Sequence, residues 1–220
     1  MSGYDEAFAR AEVAKTAKML ARAGLVEGFG HVSFRFGQGC LITSTMPLHD
    51  MDKDSIVKVD PSIDFADHTN LPLETPLHIA IYESRTDVQA ICRGHGNFMV
   101  VYGAMDTNEL PALHGLGLLA GKSVKVFEDV ELITSFKLAE KVANALGDNY
   151  AMLLRGNGGF AVGKSLIEAA VRLYFLEERA RVAVLAGTAT EHIDWSKRLA
   201  YTGAELKRAC KWFESRFGQD

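Results

Sequence analysis

Between Asp5 and Ala23, the apolar residues Ala7, Phe8, Ala11, Ala14, Met19 and Leu20 recur at roughly helical spacing with charges between them. Gly24 supplies a C-terminal stop. The period then changes. His31 to Phe36 alternates polar and apolar, Cys40 to Thr43 follows Gly37 and Gly39, and Ile56 to Val59 is a third short run; all three predict strands. Residues 60–73 are polar and turn-rich. Glu74 to Ser84 predicts a helix with Leu77 and Ile81 on one face. Val88 to Cys92 predicts a short buried strand, Phe98 to Met105 a helix, Ser123 to Phe127 a strand, and Ile133 to Leu146 an amphipathic helix. Ala151 to Leu154 is an apolar strand. Ser165 to Leu185, rich in Ala, Leu, Glu and Arg, is the strongest helix, and Lys197 to Phe217 predicts a last one. Strands and helices are mixed without strict βαβ alternation. This predicts an α/β chain of the α+β type, with a mostly antiparallel central sheet flanked by helices.

Composition narrows the class. The 220 residues are 48% hydrophobic and 24% charged, enough for one folded domain over 1–220 with residues 188–220 as a helical extension. The net charge of −4 gives no basic face for nucleic acid or an anionic membrane. Charged residues crowd the first twenty positions, against a signal peptide, and no apolar run approaches a membrane span. Cys40, Cys92 and Cys210 are scattered and form neither a disulfide framework nor a C-x-x-C pair. A reducing, cytoplasmic setting is expected.

Two glycine-rich turns carry candidate chemistry. Arg93-Gly94-His95-Gly96 follows one predicted strand, and Arg155-Gly156-Asn157-Gly158 follows another. Each places a cation and a second polar side chain where glycine lets the backbone approach a ligand. The plainer alternative is a pair of tight turns with solvated arginines. Glu74 opens a helix with His78 one turn later on the same face. Such a carboxylate serves as a base or metal ligand, or merely complements the helix dipole.

These segments resemble the class II aldolase/adducin family. Gly30-His31-Val32-Ser33-Phe34-Arg35 is similar to its Gly-Asn/His-x-Ser-x-Arg turn. Ile42-Thr43-Ser44-Thr45-Met46 and Asp54 to Asp60 resemble its next two segments. Pro72-Leu73-Glu74 through His78, followed by Ile81-Tyr82 through Asp87-Val88, resembles its Ser-Ser-Glu-x-x-x-His helix start and the sequence after it. Ile167 to Arg181 resembles its long Glu-Ala…Ala-Arg helix. The resemblance implies a three-layer sandwich, a homotetramer and a site at a subunit boundary.

The departures fall on the chemistry. In the family, three histidines hold a divalent metal; Arg93, His95 and Asn157 stand at the matching positions. Arginine stays protonated and offers no lone pair. A zinc or manganese site is therefore disfavoured, and His95 is the ligand if a metal is bound. His31 and His114 are the remaining candidates for a different ligand set. The phosphate-binding residues are replaced by Thr45-Met46 and Pro72-Leu73, which argues against a phosphorylated sugar.

The resulting expectation is a carbon–carbon lyase, retro-aldol or decarboxylating, acting on a small unphosphorylated hydroxy or oxo acid, with decarboxylases of hydroxylated aromatic acids among the family's members. Glu74 and His95 are the expected catalytic residues; Arg93, Asn157, His31 and Arg155 are expected to bind substrate. The alternatives are a non-catalytic binding module, as in the adducin head, and a sugar epimerase. The aromatic C-terminal residues Trp195, Tyr201, Trp212 and Phe217 would either cover a neighbour's site or, more simply, pack on their own helix.

Overall fold

A computed structural model describes residues 5–26, 28–60, 69–187 and 193–219. Seven strands form one sheet: β1 (His31–Phe36), β2 (Gly39–Thr43), β3 (Ile56–Val59), β4 (Ala90–Gly94), β5 (Lys125–Phe127), β6 (Ala151–Leu154) and β7 (Gly159–Gly163). Their order is β3-β2-β1-β4-β7-β6-β5. Every pairing is antiparallel except β5 with β6. The mixed α/β architecture, a mostly antiparallel sheet flanked by helices, is thus as the pattern predicts. Strand β7 and the 3-10 turns at Leu48–Asp50 and Gly115–Ala120 are additions to that pattern.

The helices are α1 (Glu6–Arg22), α2 (Thr75–Ser84), α3 (Asn97–Gly103), α4 (Phe136–Leu146), α5 (Leu166–Ala186), α6 (Ser196–Leu199) and α7 (Thr202–Phe217). They make two layers, and strand alternation shows how. Ala90 and Cys92 of β4 and Ala151 and Leu153 of β6 pack in one core with α1 and α5. Ile91, Met152 and Leu154 point the other way, into a second core with α2 and α4. Both faces are covered, so β2, β4, β6 and β7 are buried along their whole length. No helix among the described residues is long and apolar enough to cross a membrane.

Residues 61–68, most of the predicted turn-rich segment, lie outside the described residues, as do 188–192 at the start of the C-terminal extension. Beyond them, α7 lies against α5 and buries Phe213. Tyr174 of α5 meets Trp212 and Phe213 edge-on, with ring centroids 5.2 and 5.7 Å away, and Phe217 joins the same cluster. Within the chain, Trp212 and Phe217 pack between α7 and α5, while Trp195 donates to the Ala112 carbonyl and Tyr201 is exposed.

Candidate active site

The site forms where a four-residue helical stripe lies on a two-residue strand stripe. Glu74, His78 and Tyr82 recur every four residues along α2 and share a face. His31, Ser33 and Arg35 alternate along β1, on the sheet face turned to α2, opposite Val32. Strand register adds Arg93, which pairs directly across from His31. The two stripes interlock one pair after another. His31 meets Glu74 and His78, Ser33 meets His78 and Tyr82, and the Arg35 guanidinium lies 4.7 Å from the Tyr82 ring centroid. Arg35 also donates to the carbonyls of Tyr82, Arg85 and Val88, pinning the end of α2 to the sheet.

Glu74 sits at the N-terminal boundary of α2, but its side chain does not cap the helix. Instead, Oε2 accepts from Nε of Arg93 at 3.1 Å and lies 3.4 Å from Nε2 of His31. Oε1 is buried and has no partner among the described residues. Burial alone would push this carboxyl up. The hydrogen bond from His31 and the charge of Arg93 outweigh it and hold the group at about 2. Glu74 is therefore a carboxylate at neutral pH.

Arg93 has 0% exposure. Its Nη1 donates to the carbonyls of Gly94 and Gly159, at 2.6 and 3.3 Å, while Nη2 has no partner among the described residues. Desolvation pulls its pKa down and Glu74 pulls it up.

A cavity of about 470 Å³ opens over this pair. Its polar lining includes Glu74, His31, His95 and Asn157; its apolar lining includes Phe29, Met46, Leu73 and Leu132. His95 donates from Nδ1 to the Phe29 carbonyl at 2.9 Å, which leaves Nε2 as its lone-pair atom. Burial first, then the nearby Arg93 charge, lowers its pKa to about 4, so the ring is neutral at pH 7.

The two glycine-rich turns of the sequence do come together. Gly158 has φ +70°, and a Cβ there would run into the Gly94 carbonyl oxygen. The glycine lets the turn bearing Asn157 close on the turn bearing His95.

The six expected site residues thus separate. Glu74, His31, His95 and Asn157 share one cavity. Arg93 lies behind Glu74 rather than on the wall, and its reach towards a ligand is through that carboxylate. Arg155 turns away and donates to the carbonyls of Gly103, Met105 and Thr107, so it ties a loop. His114 stands beside Gly117 and Arg179, off the cavity lining. Ser33 and Tyr82 join the site without having been expected there, and His78 stands beside Glu74 on one helix face as its spacing predicts. Their signal is the alternation His31-Val32-Ser33-Phe34-Arg35 set against Glu74, His78 and Tyr82.

The donor set does not suit a divalent metal. A buried, protonated guanidinium occupies one expected ligand position. His95 keeps Nε2 as a lone-pair atom, but both ring nitrogens of His31 are taken up, Nδ1 by His78 and Nε2 by Glu74, and an Asn157 amide is a poor ligand. Among the described residues, no group of three or more His, Cys, Asp or Glu is arranged to hold a metal ion.

Known proteins agree with this architecture. The sequence profile of the Class II Aldolase and Adducin N-terminal domain matches residues 11–184. An L-fuculose phosphate aldolase from Haemophilus influenzae is 29% identical over 197 residues, covering 89% of this chain and 85% of the relative. A 3,4-dihydroxyphthalate decarboxylase from Rhodococcus jostii is 26% identical, covering 96% of each chain. The crystal structure of L-fuculose-1-phosphate aldolase from Thermus thermophilus superposes with a TM-score of 0.72 at 27% identity, covering 83% of this chain and 100% of the other.

Proposed function

We propose that this chain, which belongs to the class II aldolase and adducin N-terminal domain family, is a carbon–carbon lyase for a small unphosphorylated hydroxy or oxo acid. Its relatives include both aldolases and decarboxylases. One observation carries the reading: an ionised, buried carboxylate, Glu74, held by Arg93 at the floor of a largely apolar cavity, with one oxygen that has no partner among the described residues.

Glu74 is the base. Its carboxylate takes the proton of a substrate hydroxyl. In a retro-aldol cleavage, the oxygen's electron pair forms the new carbonyl and the adjacent carbon–carbon bond breaks. The bonding pair passes to the other fragment as an enolate, and Glu74 returns the proton to carbon. In a decarboxylation of a hydroxylated aromatic acid, loss of the hydroxyl proton enriches the ring. Glu74 then delivers that proton to the carbon bearing the carboxylate, CO₂ departs, and the phenolate regains a proton from water. Both routes need the same base facing a hydroxyl.

His95 accepts a second substrate hydrogen bond at Nε2 and orients the hydroxyl, while Asn157 offers an amide to the substrate's polar end. Arg93 is always charged and acts through Glu74, keeping it ionised and adding positive potential beneath the developing anion. The walls at Met46, Leu73 and Leu132 suit an apolar skeleton or ring. The decarboxylating route is favoured by these walls and by the decarboxylase relative, which matches this chain along nearly its whole length.

A panel of hydroxylated aliphatic and aromatic acids, assayed for CO₂ and aldehyde with Glu74→Gln as control, tests this reading. Turnover that disappears in the variant supports it; no turnover across the panel overturns it.

A further inference from the structure

A chain of short contacts runs away from the cavity, behind Glu74. His31 Nδ1 lies 2.6 Å from His78 Nε2; His78 Nδ1 lies 2.6 Å from Ser33 Oγ; and Ser33 Oγ lies 2.7 Å from the Tyr82 hydroxyl. Ser33 and His78 have 0% exposure, and His31 and Tyr82 are buried. We propose that Tyr82, Ser33, His78 and His31 form a chain of directed hydrogen bonds that keeps an N–H of His31 turned to Glu74, making His78, Ser33 and Tyr82 positioning residues for that carboxylate. The role assigned to them rests on the reading of Glu74 as the base.

Donor and acceptor counting sets the direction. An ionised carboxylate only accepts, so the His31 nitrogen facing it, Nε2, carries the proton. A neutral imidazole has one donor and one acceptor, so His31 Nδ1 accepts from His78 Nε2–H. His78 Nδ1 then accepts the Ser33 hydroxyl proton, and Ser33 Oγ accepts from Tyr82. Each of these groups is satisfied, as buried polar groups require. The opposite direction fails at both ends. It would turn a His31 lone pair onto a carboxylate, and it would leave the Tyr82 proton without an acceptor, since among the described residues that hydroxyl bonds to Ser33 alone.

The far end also says what the chain is for. Tyr82 is buried and its pKa is raised, first of all by burial, so it neither supplies nor drains protons near neutral pH. The chain is a fixed orienting device and not a conduit to solvent.

The test is nitrogen NMR of the protein labelled with ¹⁵N-histidine, with the rings assigned from His31→Asn and His78→Asn. At pH 7, both rings are expected as neutral Nε2–H tautomers. Ser33→Ala removes the donor to His78 Nδ1 and is expected to give mixed His78 tautomers, with Ser33→Thr restoring the single form. Tyr82→Phe is expected to lower kcat about fivefold, the size of one neutral hydrogen bond, with KM within about twofold. A protonated Nδ1 on either ring, or tautomers unmoved by Ser33→Ala, overturns the chain. Tautomers as expected in a protein that turns over no hydroxy acid would support the chain while removing the lyase reading, so the two fail separately.

Discussion

Glu74 Oε2 lies 3.1 Å from Arg93 Nε, and neither side chain is more than slightly exposed. Removing one member of such a pair strands the other charge in a poorly solvated site. Arg93→Met is therefore expected to destabilise the protein by about 3–5 kcal/mol. Arg93→Met combined with Glu74→Gln should recover a large part of that loss, because no bare charge remains. Urea unfolding of the two single variants and the double variant measures the coupling.

The pH response follows from the same groups. Glu74 is held at about 2 against an ordinary 4.5. A depressed carboxyl contributes stability that is complete above about pH 4.5 and lost as the pH falls towards 2. Burial likewise keeps His31 and His78 below the usual 6.5. They fold neutral and must charge on unfolding in acid, so stability also declines as the pH drops below about 6.5. A series of Tm values should fall gradually below pH 6.5 and more steeply below 4.5. His78→Asn should flatten the upper part of that slope.

Activity should follow a different profile. With Glu74 ionised and His95, at about 4, neutral, kcat/KM is expected to stay level from pH 5 to 8 with its acid limb below pH 5. A rate profile with a limb near pH 6.5 would show a different group at work.

The apolar wall can be tested through Leu73, which lines the cavity where the family's phosphate-binding pattern places serine. Leu73→Ser should raise KM for a ring-bearing acid about tenfold, roughly 1.4 kcal/mol, with little change in kcat. Equal losses in kcat and kcat/KM would place Leu73 in the reaction step instead.

Gly158 joins the turns that carry His95 and Asn157 at φ +70° with no room for a Cβ. Gly158→Ala is expected to cost about 1–3 kcal/mol through strain and the clash with the Gly94 carbonyl. A Tm drop accompanied by weaker substrate binding would show that the closure also sets Asn157.

Much of the fold is legible in the sequence because helical and strand periods are clean in α1, β1, α4 and α5. Strand β7 is not, because Gly159-Phe-Ala-Val-Gly163 follows a glycine turn directly and is too short and glycine-bounded to separate from it. Glu74, His95, His31 and Asn157 are recognisable by type and by ordered motifs. Arg93 is recognisable too, but its orientation is not. Facing the solvent or facing Glu74 depends on the register that sets it beside His31 and Phe160, and one strand's sequence does not contain that register. Arg155 is the matching case, a cation on a similar turn whose guanidinium is taken up by loop carbonyls. The hydrogen-bond chain behind Glu74 is spread over two segments 47 residues apart, and neither segment alone shows that its polar side chains meet.

If Glu74, braced by Arg93 in place of a metal, cleaves a carbon–carbon bond in a hydroxylated acid, the reaction should survive removal of free metal and fail without the carboxylate. CO₂ and aldehyde release by chelator-treated protein, wild type beside Glu74→Gln, across a panel of unphosphorylated hydroxy acids measures both. Turnover is expected in the chelated wild type, with a loss of about a hundredfold or more in the variant. Activity that returns only with added zinc or manganese, or a variant as active as the wild type, would contradict this role for Glu74 and Arg93.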